Sequence, residues 1–133
     1  MLNMRDNLGK FRSVATTTDM GKTWKEHATS RSALADPVCM GSFIKTNIPV
    51  KGKMKDVLFF SNPNTALERY NMTIKASLDL GESWLPVNET LIDENECYGY
   101  SSLVKIDDNT IGMLYEGRGD LYFVRIPITE IIK

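Results

Sequence analysis

One eight-residue pattern occurs twice in this chain, as Thr17-Thr18-Asp19-Met20-Gly21-Lys22-Thr23-Trp24 and as Ser77-Leu78-Asp79-Leu80-Gly81-Glu82-Ser83-Trp84. Asp79 follows Asp19 by 60 residues. A fixed period of that length restricts the fold to units that repeat in space. The same offset carries Met40-Gly41-Ser42-Phe43-Ile44-Lys45 onto Tyr100-Ser101-Ser102-Leu103-Val104-Lys105. After a longer insertion in the first copy, Thr46 to Lys55, the segment Val57–Pro63 falls opposite Ile111–Gly117.

The repeated unit reads as sheet. Ser13–Thr17, Met72–Ser77 and Leu121–Ile126 alternate in period two and are bounded by polar, Gly-containing links. In each box the Asp accepts hydrogen bonds from nearby backbone N–H groups and the Gly supplies positive φ, so the box predicts a strand-joining turn. The closing Trp is expected to pack between neighbouring sheets. No window shows a sustained helical apolar face, and Ile128–Lys133 has room for one turn of helix. About 60 residues and four strands per unit predict an all-β chain of propeller blades.

With 16 Lys+Arg against 17 Asp+Glu, the net charge of -1 gives no overall field toward nucleic acid or an anionic membrane. No apolar run approaches the roughly 20 residues of a membrane span. Any anion recognition must therefore be local. Cys39 and Cys97 fit neither a disulfide framework nor a zinc spacing and read as buried free thiols. Cys39 and Met40 are expected in an apolar core strand. A lone His27, read as a surface residue, leaves nothing from which to build a His-based triad.

The boxes resemble the Asp-boxes of bacterial neuraminidase repeats. The whole chain is similar to the C-terminal third of the retaining bacterial exo-sialidases. Leu2–Asn7 followed by Arg12–Trp24 matches the stretch carrying the second arginine of that family's carboxylate-binding triad, at Arg5. Phe60–Thr65, Arg69 and Met72–Ser77 match the stretch carrying the third, at Arg69. Tyr98-Gly99-Tyr100-Ser101-Ser102-Leu103 resembles the strand whose tyrosine before serine is the nucleophile, which selects Tyr100. Leu114-Tyr115-Glu116-Gly117 resembles the closing strand, giving Glu116 the role of supporting the arginine cluster.

The resemblance implies a C-terminal portion, residues 1–133, of a six-bladed propeller, about two to two and a half blades with boxes at 17–24 and 77–84. It implies an exo-α-sialidase that releases terminal sialic acid from glycoproteins, glycolipids or oligosaccharides, with no cofactor and no metal. A secreted or periplasmic location follows from it, although no signal peptide is visible. The first arginine, the acid/base aspartate and the tyrosine-activating glutamate have no counterpart here, so inactivity of the chain without its missing N-terminal blades is expected. On spacing alone, Tyr100 also reads as an amphipathic strand residue, Arg5 as a solvated charge and Arg69 as half of a surface ion pair with Glu68. A non-catalytic Asp-box segment for glycan binding or scaffolding is the alternative from another class.

Overall fold

In the computed structural model, which describes residues Met1–Lys133, the strands follow in chain order as β1 (Leu2–Met4), β2 (Lys10–Phe11), β3 (Ser13–Thr16), β4 (Lys25–Glu26), β5 (Ala35–Asp36), β6 (Ser42–Val50), β7 (Lys53–Pro63), β8 (Met72–Ser77), β9 (Glu89–Asp93), β10 (Ser101–Asp107), β11 (Thr110–Glu116) and β12 (Leu121–Pro127). A single helical turn, α1 (Ile128–Ile131), follows β12.

Every strand pairing is antiparallel. Three sheets, ordered β1-β3-β4, β6-β7-β8-β9 and β10-β11-β12, follow one another along the chain, with a separate two-stranded ribbon, β2-β5. The chain is therefore all-β and forms part of a propeller, with one complete four-stranded blade between two three-stranded ones.

Both boxes close the same turn. Thr17 Oγ1 donates to Asp19 Oδ1 at 2.7 Å and accepts from Gly21 N–H at 2.9 Å. Asp19 accepts from Thr23 N–H at 2.9 Å and from its hydroxyl at 2.6 Å. In the second box the four corresponding distances are 2.7, 2.8, 2.9 and 2.6 Å, through Ser77, Asp79, Gly81 and Ser83. Two successive residues turn left-handed in each, Met20 and Gly21 with φ of 60° and 91°, Leu80 and Gly81 with φ of 59° and 97°. A carboxylate thus satisfies donors that no strand reaches. Trp84 packs over Phe43 and Phe60, cross-strand partners in its own sheet, at 6.4 and 6.3 Å between ring centroids. Trp24 differs: its indole N–H bonds Gly21 O at 3.1 Å, and the ring stays half exposed.

The insertion Thr46–Lys55 lengthens the β6–β7 hairpin, which turns at Lys51-Gly52 with φ of 51° and 77°. The pairing corrects the second half of the repeat by one residue. Phe43 faces Phe60 and Leu103 faces Met113, so Phe60 rather than Phe59 corresponds to Met113. Two other expectations are also corrected. His27 is mostly buried, bonding Thr29 Oγ1 at 2.8 Å and Glu82 at 3.3 Å, and so links the first blade to the second box. Cys39 is buried but lies in the loop before β6, and Met40 is exposed. Both thiols are free.

The main core lies between the second and third blades. Val57, Phe59, Met72 and Ile74 meet Leu103, Ile111, Met113 and Ile126 there. Each such side chain, fully buried, stabilises by roughly 1.5–3 kcal/mol. Between the first and second blades the filling is polar. Arg12 pairs with Asp36 at 3.4 Å and lies 5.6 Å from the Phe60 ring centroid. Asn62 Nδ2 donates to Asp36 at 3.0 Å, and Lys75 Nζ donates to Asn64 Oδ1 at 2.8 Å. Burial brings the Lys75 ammonium down to about 8 from its ordinary 10.5, against the opposing pull of Glu89 and Asp36.

The far face of the third blade is uncovered. Val104, Leu114, Leu121 and Phe123 are all exposed there. The isolated chain is predicted to self-associate through this face, and Val104→Lys with Phe123→Lys is predicted to restore a monomer in sedimentation velocity. A monodisperse unsubstituted monomer contradicts this.

Lys75 gives a pH prediction. Because its folded pKa lies below the unfolded value, the unfolded chain holds the extra proton between pH 8 and 10.5, and stability rises with pH across that window. The cost of charging the buried amine, about 3 kcal/mol, is present in full below pH 8. Lys75→Met is predicted to flatten the rise in denaturant midpoint between pH 8 and 10.5; an unchanged slope contradicts the assignment.

Candidate active site

Both arginines singled out from the sequence leave their blades through corresponding connections. Arg5 follows β1 in the loop that leads to β3, and Arg69 lies in the loop from β7 to β8. Each loop precedes the strand that runs into an Asp-box. Glu116 ends β11 at the matching place in the third blade, and Tyr100 immediately precedes β10 beside it. All four residues therefore belong to one rim.

Tyr100 is held through its backbone. Its carbonyl accepts from Glu116 N–H at 2.9 Å, and its own N–H donates to the Glu116 carboxylate at 3.3 Å. Gly99, with φ of 89°, makes this approach possible: a Cβ there would stand 2.7 Å from Pro63 Cγ and 3.0 Å from Cys39 Sγ. Ser101 anchors the strand start, its hydroxyl 2.8 Å from Ser61 Oγ in the buried seam between blades. Tyr100 remains 37% exposed and, with Glu116, Met40, Leu114 and Leu121, lines a hollow of about 190 Å3.

Arg69 lies with its guanidinium carbon 5.8 Å from the Tyr100 ring centroid. Its Nη1 donates to Tyr98 O at 2.8 Å and its Nη2 to Val38 O at 3.2 Å, while its own carbonyl accepts from Cys97 N–H at 2.8 Å. Side chain and backbone are thus clasped by the segment that delivers Tyr100. The ion pair with Glu68 allowed by spacing is not formed. Neither Arg69 nor Arg5 has a carboxylate partner. Asp6, next to Arg5, is engaged by Arg31 at 2.6 Å and by Ser13, contacts that hold it well below the ordinary carboxylate range. The structure brings Arg69 and Tyr100 into contact and leaves Arg5 in the corresponding loop of the first blade. Burial pushes the Cys39 thiol up, while Arg69 and Arg5 both pull it down.

Glu116 bonds the Tyr100 backbone and no arginine of this chain. A second tyrosine nearby is unsuited to nucleophilic work: Tyr115 donates to Asp93 at 3.1 Å, and burial together with that carboxylate pushes it up to about 12. Sequence reading missed the carbonyls of Val38 and Tyr98 that seat Arg69, because carbonyl orientation carries no residue signature. Gly99, between two tyrosines, was the available signal for close backbone approach.

No family model matches the sequence. The chain is 51% identical over 134 residues to a sialidase of Bacteroides fragilis strain YCH46, covering all of this chain and 25% of that protein. It is 34% identical over 126 residues to a sialidase of Micromonospora viridifaciens, covering 92% of this chain and 19% of that one. Among solved structures, the Hadza microbial sialidase Hz136 matches with a TM-score of 0.89 at 46% identity, over 98% of this chain and 25% of that one. Related over at least 92% of its length to these proteins and sharing the fold of the matching part of Hz136, the chain belongs to the bacterial sialidases and spans a quarter or less of the length of these relatives.

Proposed function

We propose that this chain supplies the nucleophile and two carboxylate-binding arginines to an exo-α-sialidase. The observation that carries the reading is a phenol beside a guanidinium that has no carboxylate partner, on a rim that a second unpartnered guanidinium shares. A sialic acid bears its carboxylate on the anomeric carbon, which suits planar, permanently charged guanidinium groups that bond both oxygens. The same carboxylate repels an anionic nucleophile, so a neutral tyrosine replaces the usual Asp or Glu.

In this reading Arg5 and Arg69 bind the carboxylate and Tyr100 Oη attacks the anomeric carbon, expelling the glycosidic oxygen and forming a glycosyl–tyrosine that water then hydrolyses with retention. A phenol needs a base to become nucleophilic at neutral pH. That base, the acid for the leaving group and the first arginine come from the other blades of the same propeller, and the uncovered face beside Tyr100 is where the next blade docks. Glu116 holds the Tyr100 backbone now and supports the arginine cluster once complete. Terminally sialylated glycoconjugates are the substrates, and a secreted or periplasmic enzyme meets them.

In the complete protein, Tyr100→Phe is predicted to lower kcat on a fluorogenic sialoside on the order of 1000-fold. Equal turnover of the two proteins contradicts the role given to Tyr100. Arg69→Lys, which removes one charge-assisted hydrogen bond, is predicted to raise KM about tenfold. The 133-residue chain alone is predicted to show no turnover in the same assay.

A further inference from the structure

We infer that Arg12 is the positioning residue for both carboxylate-binding arginines, an inference that rests on the function proposed above. Arg12 is 3% exposed and touches no open surface of the site. Its guanidinium reaches two separate segments. On one side Nε donates to Asn3 Oδ1 at 2.6 Å and Nη2 to Asn3 O at 3.2 Å, fixing β1 two residues before Arg5. On the other, Nη1 donates to Cys39 O at 2.5 Å and pairs with Asp36 Oδ2 at 3.4 Å.

The Asp36 contact passes directly to Arg69. Asp36 Oδ2 accepts from Cys39 N–H at 3.0 Å, and the carbonyl of that same peptide group is Val38 O, which accepts from Arg69 Nη2 at 3.2 Å. One peptide plane is therefore held by a buried carboxylate at its N–H and seats Arg69 with its C=O. The price is visible in the backbone: Val38, a β-branched residue, takes φ of 56°. Rotating that peptide back to an ordinary conformation turns its carbonyl away from Arg69. Asn62 Nδ2, donating to Asp36 Oδ1 at 3.0 Å, keeps the carboxylate from following.

Lysine at position 12 keeps the charge and serves one acceptor, whereas arginine serves Asn3, Asp36 and Cys39 together. Val38→Pro, whose ring holds φ at about −65°, forces the same peptide out of its left-handed state. Both variants of the complete sialidase test the inference by crystallography and kinetics. The expected result is an Arg69 guanidinium displaced from the Val38 and Tyr98 carbonyls, with KM for a sialoside raised about tenfold and kcat within about twofold, the pattern of lost ground-state and transition-state binding alike. The preference for free sialic acid over its carboxylate methyl ester as inhibitor falls with it. Arg69 still seated in Arg12→Lys, with acid preference unchanged and only the melting temperature lowered, overturns the inference and leaves Arg12 a purely structural residue. If Arg12→Lys does not fold, Val38→Pro decides on the same readings. Wild-type enzyme without any preference for the free acid refutes the proposed function instead, and the Arg69 position in the variants still decides the positioning role.

Discussion

The buried pair of Arg12 and Asp36 is the contact on which the arrangement of this chain turns. Removing both charges from water costs several kcal/mol per ion, and a single contact at 3.4 Å does not offset that. What offsets it is the number of partners: Asn3 and Cys39 for the guanidinium, Cys39 N–H and Asn62 for the carboxylate. An apolar interface would hold two blades together at lower cost, but apolar packing is non-directional and would leave the Cys39 loop free to choose its backbone conformation. A polar interface between the first two blades and an apolar one between the second and third divide the labour. The second supplies most of the burial energy, while the first supplies geometry next to the rim where the charged groups stand.

Repetition brings those groups together. Because the connection between the second and third strands of each blade emerges on the same rim, equivalent loops of successive blades deliver Arg5 and Arg69 without any long-range design. The third blade places Glu116 at the same level, and its first strand starts there with Tyr100. Asp-box turns, at the opposite ends of the strands, keep the period by satisfying their own backbone donors and ask nothing of the site. One rim can therefore vary in chemistry while the other maintains the fold.

The boxes, the strands and the all-β class were legible in the sequence because each is written in local terms, an Asp with its Ser/Thr and Gly at fixed spacing and apolar residues in period two. The one-residue slip between Phe60 and Met113 was not, since the lengthened β6–β7 hairpin hides the count and only the ladder restores it. His27 was misplaced on the surface because its polar neighbours say nothing about Glu82, 55 residues away in sequence. Met40, read as core, is exposed because the loop before β6 breaks the alternation that strand β6 would have continued. The sequence singled out Tyr100, Arg5, Arg69 and Glu116, which the structure places on one rim, but what seats Arg69, two carbonyls and a left-handed valine, has no signature in residue identity.

In the proposed reaction the oxygen of Tyr100 becomes bonded to the sugar. Incubating the complete sialidase with a fluorinated sialosyl fluoride, which forms the glycosyl–enzyme faster than water removes it, and mapping the adduct by peptide mass spectrometry tests this most directly. A single adduct is expected on the peptide containing Tyr98-Gly99-Tyr100-Ser101 and absent from the Tyr100→Phe protein. An adduct on any other residue, or one that persists after that substitution, would contradict it.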